Sequence, residues 1–155
     1  MDQQILDFLI EAKRRTYASQ GDDASVLPLL TGSRQLEYRN GSFFYRDIYF
    51  GVAYFAGQET VYKDEIPYWS MSYAGGVDRT ITAKDDIRGI YAFLRSALRQ
   101  VSKEHIFRGP ATFTDGIYEY KNTSEGHFES FHGTEIITQN NRVLYSLHYS
   151  GGILR

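Results

Sequence analysis

Residues 55–77, FAGQETVYKDEIPYWSMSYAGGV, reappear in altered form as residues 131–153, FHGTEIITQNNRVLYSLHYSGGI. At a constant offset of 76, Phe55, Gly57, Glu59, Ser70, Tyr73, Gly75 and Gly76 match Phe131, Gly133, Glu135, Ser146, Tyr149, Gly151 and Gly152. Val61 with Ile137, Trp69 with Tyr145 and Met71 with Leu147 are conservative pairs between them. An ungapped match this long points to two related halves, about 1–79 and 80–155. A small unit of that size would leave an apolar face uncovered, so the halves are expected to share one core.

Each half opens with an amphipathic stretch. Ile5, Phe8, Leu9 and Ala12 form a helical stripe over about 3–16, with Asp2 as its cap. Ile87, Ile90, Tyr91, Phe93, Leu94, Ala97 and Leu98 form another over about 84–101, with Thr82 as N-cap and Asp85 favouring the positive end. The basic run Lys13-Arg14-Arg15 suits the negative end of the first helix.

Strands follow. The first half gives 36–39 and 42–50 around Asn40-Gly41, then 54–62 and 66–74 around Lys63-Asp64-Glu65. The second gives 112–113, 117–121, 128–138 and 142–150, with Asn140-Asn141 as the last turn. The fold expected is α+β: two pseudo-symmetric helix-plus-four-antiparallel-strand repeats forming one domain, their strands in one curved sheet or two apposed ones with the helices on one side. Residues 17–35 are the long connection of the first half. Their VLPLL segment is expected to pack against the core, a lid over a cleft being the alternative. Gly75-Gly76 and Gly151-Gly152 are expected to mark bends at positive φ.

The chain of 155 residues is long enough for a core without disulfides, and it has no cysteine. That, the lack of a basic signal-like start and the lack of a long apolar run lead to a cytoplasmic expectation. A net charge of −2 gives no general attraction to nucleic acid. The four histidines show no metal-binding spacing, and no GxSxG or phosphate-loop motif occurs, so neither metal nor cofactor is expected.

Strand parity places Glu59 and Glu135 on the same side as the apolar residues, where each needs a partner. Arg39, Arg46 and Arg108 are the candidates. Two readings stand: paired carboxylates that fix the scaffold, which is preferred, and carboxylates lining a central cleft. Residues that differ between the halves are the better functional candidates, among them His132, His148 and the Arg46-Asp47 pair. Thirteen tyrosines and ten phenylalanines suit the wall of a cleft.

LEYR (36–39), YRDIYFG (45–51), FAGQETV (55–61), PYWSMSYAGGV (67–77), FRGP (107–110), FHGTE (131–135) and YSLHYSGG (145–152) together resemble an uncharacterised bacterial domain family. That family occurs alone or behind Xre-type helix-turn-helix regulators, which implies a sensory role. The duplication is also similar, at the level of fold, to GyrI-like tandem ligand-binding domains. No helix-turn-helix segment precedes the first helix here, so direct DNA binding is not expected.

The expectation is thus a small-molecule-binding or sensory domain with an aromatic cleft between the two halves. Arg46, Glu59, Trp69, Tyr73, Glu135, His148 and Tyr149 would line or support that cleft. A hydrolase or isomerase pairing Glu59 or Glu135 with His132 or His148 is one alternative. A protein-interaction module is the other. The partner expected is a small organic molecule, with neither nucleic acid nor membrane, and a homodimer is left open.

Overall fold

A computed structural model describes residues 3–16, 18 and 25–155. Helix α1 (Gln3–Arg15) is followed by β1 (Arg34–Asn40), β2 (Phe43–Gly51), β3 (Tyr54–Lys63) and β4 (Ile66–Val77). Then come helix α2 (Lys84–Leu98) and β5 (Thr112–Asp115), β6 (Tyr118–His127), β7 (Ser130–Gln139) and β8 (Arg142–Ile153). The strands form one antiparallel sheet in the order β1-β2-β3-β4-β8-β7-β6-β5, and a lone bridge from Ser25 to Leu36 extends it beyond β1.

This overturns the expected fold class. The chain does not divide into two helix-plus-four-strand repeats. It is one continuous antiparallel sheet carrying two short helices. Strand β4 pairs with β8 over nine residue pairs, from Trp69–Ile153 to Val77–Tyr145, as many as join β2 to β3. An unpaired edge leaves a row of backbone N–H and C=O groups open, and joining β4 to β8 closes both edges at once. The helices are unlike each other too. At the offset of 85 that best aligns them, Lys13 of α1 stands against Leu98 of α2, and only the first carries charge into the core.

Both helices lie on one face of the sheet, α1 over β1 and β2, α2 over β5 and β6. In α1, Ile5, Phe8, Leu9 and Ala12 are buried, with Phe8 stacked on Tyr38 and Phe43. In α2, Ile90, Phe93, Leu94, Ala97 and Leu98 are buried, and Phe93 packs on Phe113 and Tyr118. The helix begins at Ala83 without a side-chain cap, so Thr82 does not cap it as expected. Asp2 lies outside the described residues.

The turns follow local chemistry. Asp64-Glu65 and Asn140-Asn141 close their hairpins with positive φ at both positions, as two-residue turns that match strand twist require. The paired glycines behave otherwise than expected. Gly75, Gly76, Gly151 and Gly152 are not at positive φ; they lie inside β4 and β8, where backbones crowd. A Cβ on Gly75 would stand 2.3 Å from the Ser146 carbonyl oxygen and 2.4 Å from Leu147 Cα.

The 25–36 segment also departs from expectation. Leu27, Leu29 and Leu30 are exposed rather than packed on the core, Leu27 by 91%. Hydrogen bonds from Val26 N to Gln35 O and from Leu29 N to Gln35 Oε1 tie the segment to β1 instead.

Gly75→Ala should destabilise the protein by about 3 kcal/mol, because backbone, not a movable side chain, blocks the added methyl. Gly116→Ala, in a turn with open space around it, should cost only the left-handed strain of about 1–2 kcal/mol. Chemical denaturation of the two variants checks the ranking.

Candidate functional site

Among the described residues, five acidic or basic side chains stand in the interior: Lys13, Asp47, Glu59, Arg108 and Glu135, none more than 4% exposed. Strand alternation explains three of them. Asp47 faces Glu59 across the β2–β3 ladder, on the same side as Tyr45 and Val61, and Glu135 occupies the like place on β7. Lys13 extends the buried stripe of α1 by one more turn beyond Leu9. Arg108 enters from the connection between α2 and β5.

The charges form a chain. Lys13 Nζ stands 3.0 Å from Glu59 Oε2 and donates to the Phe107 carbonyl at 2.5 Å. Arg108 Nη1 lies 3.9 Å from Glu59 Oε1, and its Nη2 donates to Glu135 Oε1 at 2.7 Å. Glu135 also accepts from the hydroxyls of Tyr145 and Tyr120, each at 2.8 Å. Burial pushes the Lys13 ammonium down and Glu59 opposes that shift; burial also holds Tyr120 and Tyr145 well above the usual phenol value.

Asp47 is the odd member. It accepts a 2.7 Å hydrogen bond from the Tyr73 hydroxyl, and among the described residues it has no ion pair. Burial, then the neighbouring Glu59 charge, push its carboxyl up to about 7, against the pull of Tyr73, Arg108 and Lys13. Simple charge counting agrees. Lys13 and Arg108 already stand against Glu59 and Glu135, so a charge on Asp47 would add an unbalanced negative group to the interior.

Asp47, Tyr73 and Arg108 form the floor of a cleft of about 1080 Å³ between the sheet, α2 and the 25–36 segment. Tyr49, Phe55, Ile87, Tyr91 and Leu94 supply its aromatic and apolar walls. The Tyr73 hydroxyl reaches Asp47 by crossing β3 at Gly57, where a Cβ would come within 2.5 Å of it. In the other half of the sheet, on the same face, Tyr149 crosses β7 over Gly133 and donates to Asn122 at 2.7 Å. Asn122 faces Glu135 as Asp47 faces Glu59. The two constellations differ in one decisive respect: an aspartate opens onto the cleft, whereas the asparagine is held by Tyr149 and the Gly109 carbonyl.

Of the residues singled out from sequence, Glu59, Tyr73 and Glu135 come together in this region. Trp69 is fully buried and stacks on Phe128 and Phe131. Tyr149 packs near Phe131, away from the cleft. Arg46 and His148 lie on the opposite face of the sheet. Arg46 pairs with Glu37 at 2.9 Å beside Phe44, and His148 meets Thr134 at 3.1 Å. Arg39 pairs with Glu65 on that same face, so of the three arginines offered as partners only Arg108 serves, and it serves Glu135 most closely. Lys13, read from sequence as a helix-end cation, is the partner of Glu59.

Sequence reasoning therefore missed Lys13 as a site residue, named Asp47 with Arg46 as a functional candidate without placing it in the cleft, and took Arg108 only as a partner. A signal existed for each of the first two. Lys13 continues the Ile5–Leu9 spacing, and Tyr45-Arg46-Asp47 aligns with Tyr120-Lys121-Asn122 at an offset of 75. Among the described residues, no group of three or more His, Asp or Glu side chains is placed to hold a metal ion. No helix of the described residues is long and apolar enough to cross a membrane.

Lys13→Met should cost about 3–5 kcal/mol by leaving Glu59 buried without its nearest cation, and adding Glu59→Gln should recover much of that loss. Denaturant melts of both variants test the pairing. Asp47 gives a pH signature. Its proton is held more tightly in the folded chain than in the unfolded one, where the carboxyl titrates near ~4. Stability should therefore fall as pH rises from that value through about 7, by roughly 1.4 kcal/mol per pH unit at most. Asp47→Asn should flatten this slope relative to wild type and be the more stable protein above neutral pH.

Residues 47–154 match the family model described as "Domain of unknown function (DUF5680)", and the chain belongs to that family. The matched part holds Asp47, Glu59, Arg108 and Glu135 but not Lys13. No curated protein matches the chain, and no solved structure matches it.

Proposed function

We propose that this member of the family is a small-molecule-binding domain whose ligand occupies the cleft above Asp47 and Tyr73. One observation carries the reading: the cleft of about 1080 Å³ has apolar and aromatic walls and ends on a few convergent polar groups. Small-molecule sites have this character, with volumes of roughly 300–1,000 Å³ and a few fixed hydrogen-bonding groups that orient the ligand. Here Tyr73 and Asp47 are pre-positioned by their mutual hydrogen bond, so little ordering remains to be done on binding.

The geometry gives no support to a Glu–His acid–base pair. Glu59 and Glu135 are sealed in the core, whereas His132 is exposed and stands 3.7 Å from Glu125, and His148 is exposed on the far face. A sensory role beside a helix-turn-helix regulator, implied by the sequence resemblance, would be the physiological setting of such a site.

A thermal-shift screen with a broad fragment library tests this. A ligand at a hundred times its Kd should stabilise the fold by about 2.7 kcal/mol, a rise in Tm of several degrees. Ile87→Trp, which places an indole in the cleft, should abolish the shift. An absence of hits, or shifts that survive Ile87→Trp, would sink the proposal.

A further inference from the structure

We propose that the cleft selects organic anions, with the negative group bound at its mouth between Arg34 and Arg95 and the neutral end facing Asp47. The inference rests on the small-molecule reading and adds the charge and polarity of the ligand.

The walls are basic. Among the described lining residues, Arg34, Lys84, Arg88, Arg95 and Arg108 carry positive charge, and Asp47 is the sole acid. Two of these cations are already committed. Arg108 is tied to Glu135, and Arg88 stands 3.5 Å from Asp85. Arg34, Lys84 and Arg95 have no ion pair among the described residues; of these the two arginines, with their forked donors, come from different elements, β1 and α2. Arg95 is half-buried, next to Leu94 and Tyr91 on the cleft side of the helix. Arg95 has no carboxylate partner among the described residues, and the planar fork of a guanidinium suits a carboxylate or phosphate in two-point contact. Arg34 is exposed and adds attraction at the entrance.

The floor enforces the orientation. Asp47 lies across the β2–β3 ladder from Glu59, so a further negative group brought down to this pair of acids would meet like charge in a low-dielectric site. A neutral group that can donate or accept beside the Tyr73 hydroxyl meets no such penalty. Between the two ends, Phe55 and Tyr91 pack on each other with ring centres 5.9 Å apart and offer one apolar surface for a flat hydrocarbon body. The ligand class that fits is a monoanion with an aromatic or fused-ring body and a neutral polar far end.

The test is a matched trio of probes on one ring system: naphthoate, naphthamide and naphthylmethylamine, titrated by calorimetry into the whole chain at neutral pH. Naphthoate should bind at least about ten-fold more tightly than the other two, the equivalent of one charge-assisted contact. In Arg34→Gln/Arg95→Gln, which changes two accessible side chains, the preference should shrink to within about three-fold while the amide binds as before. Added salt should weaken naphthoate more than naphthamide in the wild-type protein. Equal or tighter binding of the amide or the amine would overturn the anion assignment and leave the small-molecule reading intact, as would a preference indifferent to salt and to the double variant. If none of the three binds, the assignment of an aromatic anion falls, and the small-molecule reading stands or falls on the fragment screen alone.

Discussion

A buried ion chain ties the parts of this molecule to each other. Lys13 comes from α1, Glu59 from β3, Arg108 from the connection after α2, and Glu135 from β7. No two adjacent members of that chain belong to the same element. Removing charge from water costs several kcal/mol per ion, and the cost is met only where partners stand at contact distance with further hydrogen bonds. Glu135 meets this condition fully through Arg108 and two tyrosines. Glu59 meets it less well, with its closest support a lysine that is itself wholly buried. The relative placement of helix, sheet and connection is thereby restricted: a shift in any of them leaves an unpaired charge in the core.

That restriction also defines where chemistry is available. Within the cluster every cation is spent on a glutamate, and Asp47 is left with a tyrosine hydroxyl and a raised pKa. It is the member whose protonation state can change near neutral pH without breaking the chain. It is also the one carboxyl of the cluster that borders the cleft. Scaffold and site are therefore the same network seen from two sides, the glutamates facing inward and the aspartate outward.

Much of the local structure was legible. The two helices, the Asn140-Asn141 turn and the burial of Glu59 and Glu135 follow from periodicity and strand parity. The overall arrangement was not. Nothing in the residues of β4 and β8 announces that they pair with each other; the Gly-Gly steps that permit their close approach read equally well as bends. Residues 122–127, NTSEGH, lack apolar alternation, yet they form the second half of β6 because β7 offers a paired edge. Tertiary pairing overrode weak local preference there. The partner of Glu59 was hidden for a different reason: Lys13 lies 46 positions earlier in the chain, beside two arginines that make any helix-end reading attractive.

The matched hairpins β3–β4 and β7–β8 show how a shared framework acquires a difference. Both carry a tyrosine that crosses a glycine to reach the next strand, and both place a glutamate in the core. Around Tyr149 the space is filled, with Asn122 pinned to the Gly109 carbonyl and Phe131 stacked on Phe107 at 3.7 Å. Around Tyr73 the corresponding space is open, walled by α2 and the 25–36 segment. An amide can satisfy both its donor and its acceptor inside a filled core, whereas a carboxyl there cannot donate once ionised. The asparagine therefore suits the closed side. An aspartate is tolerated on the open side because a proton, or the polar end of a ligand, can complete its hydrogen bonding.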